Sequence, residues 1–122
     1  MHEISVVLSF SAAHNLRGYR GKCEELHGHN WKVKAAVRSA VLNETGMVVD
    51  FSVIKKALKS LLMKLDHAYL NETPYFKKIN PTSENIAAWI YGQLKKKFSG
   101  KVILSYVKVW ETESSCACYS EP

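Results

Sequence analysis

The residues best suited to chemistry in this 122-residue chain are histidines at the ends of two predicted strands. His27 and His29 are two residues apart in an alternating pattern, so both imidazoles are expected on one side of a strand, beside the apolar Trp31. His14 ends a second alternating pattern on its apolar face, and it would join them if the strands paired antiparallel with aligned ends. Three neutral imidazoles suit a zinc ion that keeps a fourth position open. The sequence therefore predicts a metal site at His14, His27 and His29.

Cys23 lies four residues before His27, on the loop that leads to the same strand end. As a fourth ligand, it would complete a closed and structural zinc site. As a free thiolate beside the metal, it could act as a base or a nucleophile. The spacing alone leaves both interpretations open.

Three further side chains could take part in chemistry. Asp66 could orient His67 as an acid-base relay to Cys23, although the dipole at a helix end also favours a histidine without any catalysis. Glu111 shares the apolar face of its predicted strand, where a carboxylate is costly unless it is paired. It could hold a cationic or amide-rich ring, or it could simply be exposed at the strand end.

Composition limits the class of protein. Hydrophobic residues make up 47% and charged residues 23%, as in a soluble globular chain, and the length suits a single domain over residues 1–122. Seventeen Lys and Arg against eleven Asp and Glu give a net charge of +6, which favours anionic partners such as a nucleic acid or a phosphorylated small molecule. Three cysteines, an odd number, argue against a secreted disulfide framework and favour the cytoplasm. No apolar stretch approaches the roughly 18 residues of a membrane span.

The elements that must position these residues follow from hydrophobic periodicity. Alternation predicts strands over residues 4–12 and 27–37, and helical spacing predicts one helix from Ser52 and a second capped by Thr82 or Ser83. Two further strands, at about 101–112 and 115–121, are expected to form a hairpin. The order ββααββ predicts an α+β fold, with an antiparallel four-stranded sheet and both helices on one face. Its unpaired edges favour an oligomer closed by continuation of the sheet.

Several motifs together resemble one enzyme family. Residues 23–29, CEELHGH, resemble the Cys-x-x-x-His-Gly-His motif of the 6-pyruvoyl-tetrahydropterin synthase and 6-carboxytetrahydropterin synthase family. Further matches run along the chain: FSAAH at 10–14, VDF at 49–51, LDHAYLN at 65–71, PTSENIA at 81–87 and VWET at 109–112. The resemblance implies the tunnelling fold, in which ββααββ units form barrel-like homo-oligomers, and specifically a hexamer built as a dimer of trimers.

The resemblance also implies roles for the site residues. The implied zinc ligands are His14, His27 and His29. The implied catalytic groups are the thiol of Cys23, its relay partners Asp66 and His67, and Glu111, which also anchors the pterin ring. The implied lining of the substrate pocket, in part from a neighbouring subunit, is Thr82, Ser83 and Glu84. From their place in the loop, and from no motif, the residues expected to contact the phosphates are Arg17, Arg20 and Lys22.

The implied substrate is 7,8-dihydroneopterin triphosphate, whose phosphates would account for the positive net charge. The short chain looks most similar to the bacterial branch that makes 6-carboxy-5,6,7,8-tetrahydropterin for queuosine, with release of acetaldehyde and triphosphate. Alternatives are a 6-pyruvoyl product, or a 6-hydroxymethyl-dihydropterin, which some relatives make with a glutamate placed near Glu24. A catalytically silent pterin-binding relative is a further alternative. A zinc-stabilised basic nucleic-acid-binding module is the alternative of another class; the resemblance itself implies neither a nucleic acid nor a membrane as partner.

Overall fold

The fold is known from a computed structural model that describes residues 1–18, 21 and 24–122. In chain order its elements are β1 (His2–His14), β2 (His27–Ser39), α1 (Phe51–Leu62), β3 (Ala68–Tyr69), α2 (Ser83–Leu94), β4 (Ile103–Thr112) and β5 (Ser115–Tyr119), with short 3-10 helices at Leu70–Glu72 and Lys95–Lys97. The strands form one sheet in the order β3-β1-β2-β4-β5. Within the described ranges, none of the helices has both the length and the apolar character needed to cross a bilayer.

The predicted four-stranded antiparallel sheet is wrong in one respect, because a fifth strand makes the sheet mixed. Strand β3 runs parallel to β1 and pairs only Ala68 with Ala12 and Tyr69 with Ala13. The preceding residue, His67, has a left-handed φ of 58°, and its N–H donates to the carbonyl of Ser11 at 2.6 Å. A two-residue strand held by tertiary pairing carries no periodic pattern, so alternation could not predict it.

The apolar face of the sheet and both helices form a single core, as expected from two helices on one face. The strands contribute Phe10, Trp31, Val33 and Val109, among others, and the helices contribute chiefly Ile54, Leu58, Ile86 and Ile90. Helix α1 begins one residue before the predicted Ser52, because the Asp50 side chain accepts a hydrogen bond from the Ser52 N–H at 2.8 Å. Of the two candidate caps for α2, Thr82 is the one used.

The pairing of β1 with β2 controls the placement of the histidines. Their antiparallel register sets His14 opposite His27 and Ala12 opposite His29, so the two strand ends are aligned as predicted. The same alternation that buries Trp31 and Val33 directs His27 and His29 to the helix-covered face. The site is thus built by strand register.

Packing of α1 onto the sheet supports this register. Two substitutions in α1 test that packing. Leu58 is fully buried, whereas Val53 is 47% exposed. Leu58→Ala should lower the free energy of unfolding by about 2–5 kcal/mol, because it removes buried methyl groups and leaves a cavity. Val53→Ala is the matched control and should lower the free energy of unfolding far less. Urea unfolding measures both, and equal losses would contradict the described packing.

Candidate metal centre

Four side chains direct one potential ligand atom each into a common space: His14, His27, His29 and Glu111, with all four atoms within 4.8 Å of one another. The Nε2 atoms of His14 and His27 are 3.0 Å apart. Glu111 Oε1 lies 3.1 Å, 3.7 Å and 2.8 Å from the Nε2 atoms of His14, His27 and His29. The expected convergence of three imidazoles is therefore present, and the structure adds a carboxylate to it.

Backbone carbonyl groups orient two of the imidazole rings. Nδ1 of the buried His14 lies 2.8 Å from the carbonyl oxygen of Pro81, and Nδ1 of His27 lies 2.7 Å from that of Glu25. A carbonyl oxygen can only accept, so each Nδ1 carries the proton and donates. In the neutral rings, the Nε2 lone pairs are then free to bind a cation.

These donors fit a divalent metal ion such as zinc. With Nδ1 protonated on both rings, the lone pairs of His14 and His27 face each other at 3.0 Å, an arrangement that a cation between them would stabilise. Among the described residues, Nε2 of His29 is buried and has no assigned hydrogen-bond partner, although Glu111 Oε1 lies 2.8 Å away. Burial lowers the pKa of His29, although the charge of Glu111 opposes this. An unprotonated ring is the form that binds metals.

Alternation along β4 places Glu111 on the same face as the buried Val107 and Val109, and a local irregularity lies at the same point of the strand. Along β5, Trp110 pairs with Cys116 and Thr112 pairs with Ser115, so Glu111 is an extra residue at a shift of register. Such bulges bend a strand and redirect a side chain. Glu111 was expected to anchor a ring, and the structure places its carboxylate against the three histidines, with 30% of the side chain exposed.

The pocket expected next to Glu111 is partly as predicted. Ser83 and Glu84 line a surface depression together with Glu111 and residues 115–118. Thr82 is not among its lining residues; its hydroxyl accepts a hydrogen bond from the Asn85 N–H at 3.1 Å and caps α2. The contribution of β5 was missed, although pairing of β5 with the strand that carries Glu111 could have indicated it.

Asp66 and His67, the predicted relay pair, are in side-chain contact, and their role in a relay stays a prediction. Asp66 Oδ1 accepts a hydrogen bond from the Ser11 N–H at 2.9 Å, and Oδ2 lies 3.1 Å from His67 Nδ1. His67 is 84% exposed, at the outer edge of β1. Among the described residues, no hydrogen bond or ion pair joins this pair to the metal centre, so the chain presents the relay candidate to solvent.

The loop between β1 and β2 carries four of the predicted site residues. Cys23, Arg20 and Lys22 lie outside the described residues. Arg17 lies within them, and its guanidinium donates to three backbone carbonyls: Ile79 at 3.1 Å, Asn71 at 2.9 Å and Phe76 at 2.8 Å. Arg17 therefore links the loop after β1 to the segment before α2 by hydrogen bonds. Its contact with phosphate stays a prediction.

Two asparagines that the sequence reasoning missed stabilise the end of β1. The Asn15 N–H donates to Asn71 Oδ1 at 3.0 Å, and Asn71 Nδ2 donates to the Asn15 carbonyl at 2.8 Å. The Tyr69 hydroxyl donates to Asn15 Oδ1 at 2.6 Å. The available signal was position, because Asn15 directly follows His14 and Asn71 ends the LDHAYLN segment.

Comparisons with known proteins show which proteins this chain is similar to. The sequence profile described as 6-pyruvoyl tetrahydropterin synthase matches residues 3–122. The 6-carboxy-5,6,7,8-tetrahydropterin synthase of Synechocystis sp. is 45% identical, over 93% of this chain and 89% of that protein. The dihydroneopterin monophosphate aldolase of Pyrococcus furiosus is 37% identical, over 84% and 83%. The structure of Caenorhabditis elegans 6-pyruvoyl tetrahydropterin synthase superposes with a TM-score of 0.88 at 32% identity, over 99% of this chain and 96% of that one.

Removing one imidazole should impair metal binding. His29→Ala deletes the buried nitrogen that has no other partner, and it should lower the affinity for Zn²⁺ by at least about tenfold, the lower end of the loss seen when groups that merely support metal ligands are removed. His2→Ala, at an exposed position at the start of β1, is the control. Competition with a chromophoric chelator measures both affinities. Equal affinities would contradict the assigned site.

Asp66 should make stability depend on pH. The hydrogen bond from the Ser11 N–H holds the pKa of Asp66 below its ordinary value of 3.8. A carboxyl group of this kind stabilises the fold above its unfolded pKa, and the contribution is lost as the pH falls through the lowered folded value. Asp66→Asn should therefore unfold at lower urea than the wild type at pH 7, and the difference should narrow below pH 3.8. A difference independent of pH would contradict a charge effect.

Proposed function

Because the chain belongs to the 6-pyruvoyl tetrahydropterin synthase family, whose members are lyases acting on pterins, we propose that it is a zinc-dependent carbon-carbon lyase. Its substrate would be 7,8-dihydroneopterin triphosphate, and its product 6-carboxy-5,6,7,8-tetrahydropterin, formed with consumption of one water molecule and release of acetaldehyde and triphosphate. The observation that carries the proposal is the convergence of three imidazole nitrogens, two of them oriented by backbone carbonyls. Identity of 45% to a synthase named for this product supports the choice of branch.

His14, His27 and His29 would hold the zinc ion. The ion would supply Lewis-acid polarisation of the substrate's side-chain hydroxyl groups, which makes the adjacent carbon-bound proton more acidic. Cys23 would remove that proton as the general base. Asp66 would keep His67 oriented as the second acid-base group, a role supported by the 3.1 Å contact between their side chains.

The rest of the substrate would be held around this centre. Ser83 and Glu84 line the same pocket as Glu111, which supports the proposal that the pterin ring binds there. Glu111 would accept hydrogen bonds from the ring's N–H groups through its carboxylate. The proposed contacts with the triphosphate are Arg17, Arg20 and Lys22. The net charge of +6 favours such an anionic substrate.

A 6-pyruvoyl product is the second candidate. Its support is the likeness in fold and sequence to the Caenorhabditis elegans 6-pyruvoyl tetrahydropterin synthase. The similarity to a dihydroneopterin monophosphate aldolase keeps a 6-hydroxymethyl product, and a role for Glu24, as a further alternative. The proposed branches would differ in which bond of the substrate side chain breaks, so the identity of the product distinguishes them.

We also propose that the enzyme is a homo-oligomer, a hexamer built as a dimer of trimers. Strand β1 has 13 residues, and β3 covers its outer edge only at Ala12 and Ala13. A long uncovered edge favours strand addition by another copy. This addition would bring a second subunit close to the exposed His67. A role in supplying a precursor of queuosine stays a prediction. A location in the cytoplasm also stays a prediction, which rests on the odd number of cysteines.

The product should be identified directly. Zinc-loaded protein is incubated with 7,8-dihydroneopterin triphosphate, and the pterins and acetaldehyde are analysed by mass. The proposal expects carboxypterin and acetaldehyde in equal amounts. A pyruvoyl or hydroxymethyl product would select one of the alternatives, and bound pterin without product would indicate a silent relative. If no turnover were found and the protein bound nucleic acid with an affinity that fell steeply with salt, a nucleic-acid-binding module would be favoured instead.

The role of Cys23 can be separated from metal binding. Cys23→Ala should keep its zinc and lose about 10²- to 10⁴-fold in turnover, because a general base is removed while the imidazole ligands stay in place. Zinc content by atomic absorption and turnover are measured on the same preparation. Loss of zinc together with activity would instead identify Cys23 as a ligand and contradict its proposed role.

A further inference from the structure

We propose that Glu111 is a displaceable fourth ligand: its carboxylate binds the metal while the substrate is absent and leaves when a pterin ring enters the pocket. This inference rests on the proposed metal site, and it goes beyond the expected role of Glu111 as a ring anchor. It gives one side chain two partners in succession. The metal would then become available to the substrate only when a ring is present to take the carboxylate.

Distances support the first partner. In a tetrahedral zinc site with bonds of about 2.0–2.1 Å, neighbouring ligand atoms are about 3.3–3.4 Å apart. Glu111 Oε1 lies 2.8 Å, 3.1 Å and 3.7 Å from the nitrogens of His29, His14 and His27, values that bracket this spacing. The same oxygen atom, Glu111 Oε1, lies close to all three nitrogens. The carboxylate therefore occupies the position that a fourth ligand would take.

The chemistry of the donors supports the same assignment. His14 and His27 use Nδ1 to donate to carbonyl groups, so their Nε2 atoms present lone pairs to Glu111 Oε1, which also carries lone pairs. The Nε2 atom of His29, 2.8 Å from Oε1, forms no hydrogen bond with it. Oε1 and His14 Nε2, 3.1 Å apart, could share a hydrogen bond only if that ring carried a second proton, because its Nδ1 already donates to Pro81. For neutral rings, a shared cation accounts for this clustering. A carboxylate would also offset part of the charge of a divalent ion.

The second partner follows from the position of Glu111 in the fold. The side chain is 30% exposed, and it lines the pocket that also contains Ser83 and Glu84. It therefore stands at the boundary between the metal centre and the pocket proposed for the ring. Regular alternation along β4 places it there, because Glu111 follows the buried Val107 and Val109 on the same face of the strand.

The test uses cobalt(II) in place of zinc, since cobalt reports its coordination through visible absorption. Wild-type protein, Glu111→Ala and Glu111→Gln are compared with Glu113→Ala, an exposed glutamate two residues away as the matched control. Loss of outer-shell partners already costs about 10- to 100-fold in metal affinity, so Glu111→Ala should cost at least about tenfold. Its absorption bands should shift, whereas those of Glu113→Ala should match the wild type.

Azide and neopterin then test displacement. If Glu111 fills the fourth position more than about nine-tenths of the time, azide should bind the cobalt of Glu111→Ala at least about tenfold more tightly than that of the wild type. Neopterin, which lacks phosphates, should shift the wild-type spectrum toward that of Glu111→Ala. Unchanged affinity and spectrum in both Glu111 variants, or equal azide binding, would overturn the inference and leave the three-histidine site intact. Failure of the wild type to bind cobalt or zinc would overturn the metal site itself.

Discussion

The metal centre depends on the register with which β1 pairs with β2. His14 lies opposite His27 only in this register, and a slip of one residue along either strand would break the alignment of their rings. The register is itself specified by burial, because the same alternation places Trp31 and Val33 in the core. The hydrophobic pattern that stabilises the sheet therefore also determines the geometry of the ligands.

Helix α2 adds a second constraint to the same centre. Pro81, whose carbonyl oxygen accepts from His14 Nδ1, immediately precedes Thr82, the residue that caps the helix. The start of the helix thereby fixes the carbonyl that selects the tautomer of His14. Glu84, the second residue of the helix, lines the neighbouring pocket. One helix terminus thus orients a proposed metal ligand and lines the proposed ring site.

The sequence was sufficient to predict features that depend on a pattern repeated along a strand or helix. Alternation predicted both long strands and the convergence of the histidines, and helical spacing predicted α1 and α2. It could not predict β3, which consists of two residues held by pairing with Ala12 and Ala13. It also missed the contact of Glu111 with the histidines, which depends on the register with which β4 pairs with β2. Arg17 shows a third limit, since its carbonyl partners lie 54 to 62 residues away in sequence.

The hydrogen bonds at both ends of the loop between β1 and β2 have an entropic consequence. Arg17 is held at the start of this loop by carbonyls of the segment before α2, and the Glu24 carbonyl near its end accepts from Asn15 Nδ2 at 3.2 Å. The conformational freedom of Asn15, Arg17 and Glu24 is therefore given up in part during folding and not when a ligand arrives. Binding energy that would otherwise order these three residues would then be available to the proposed reaction.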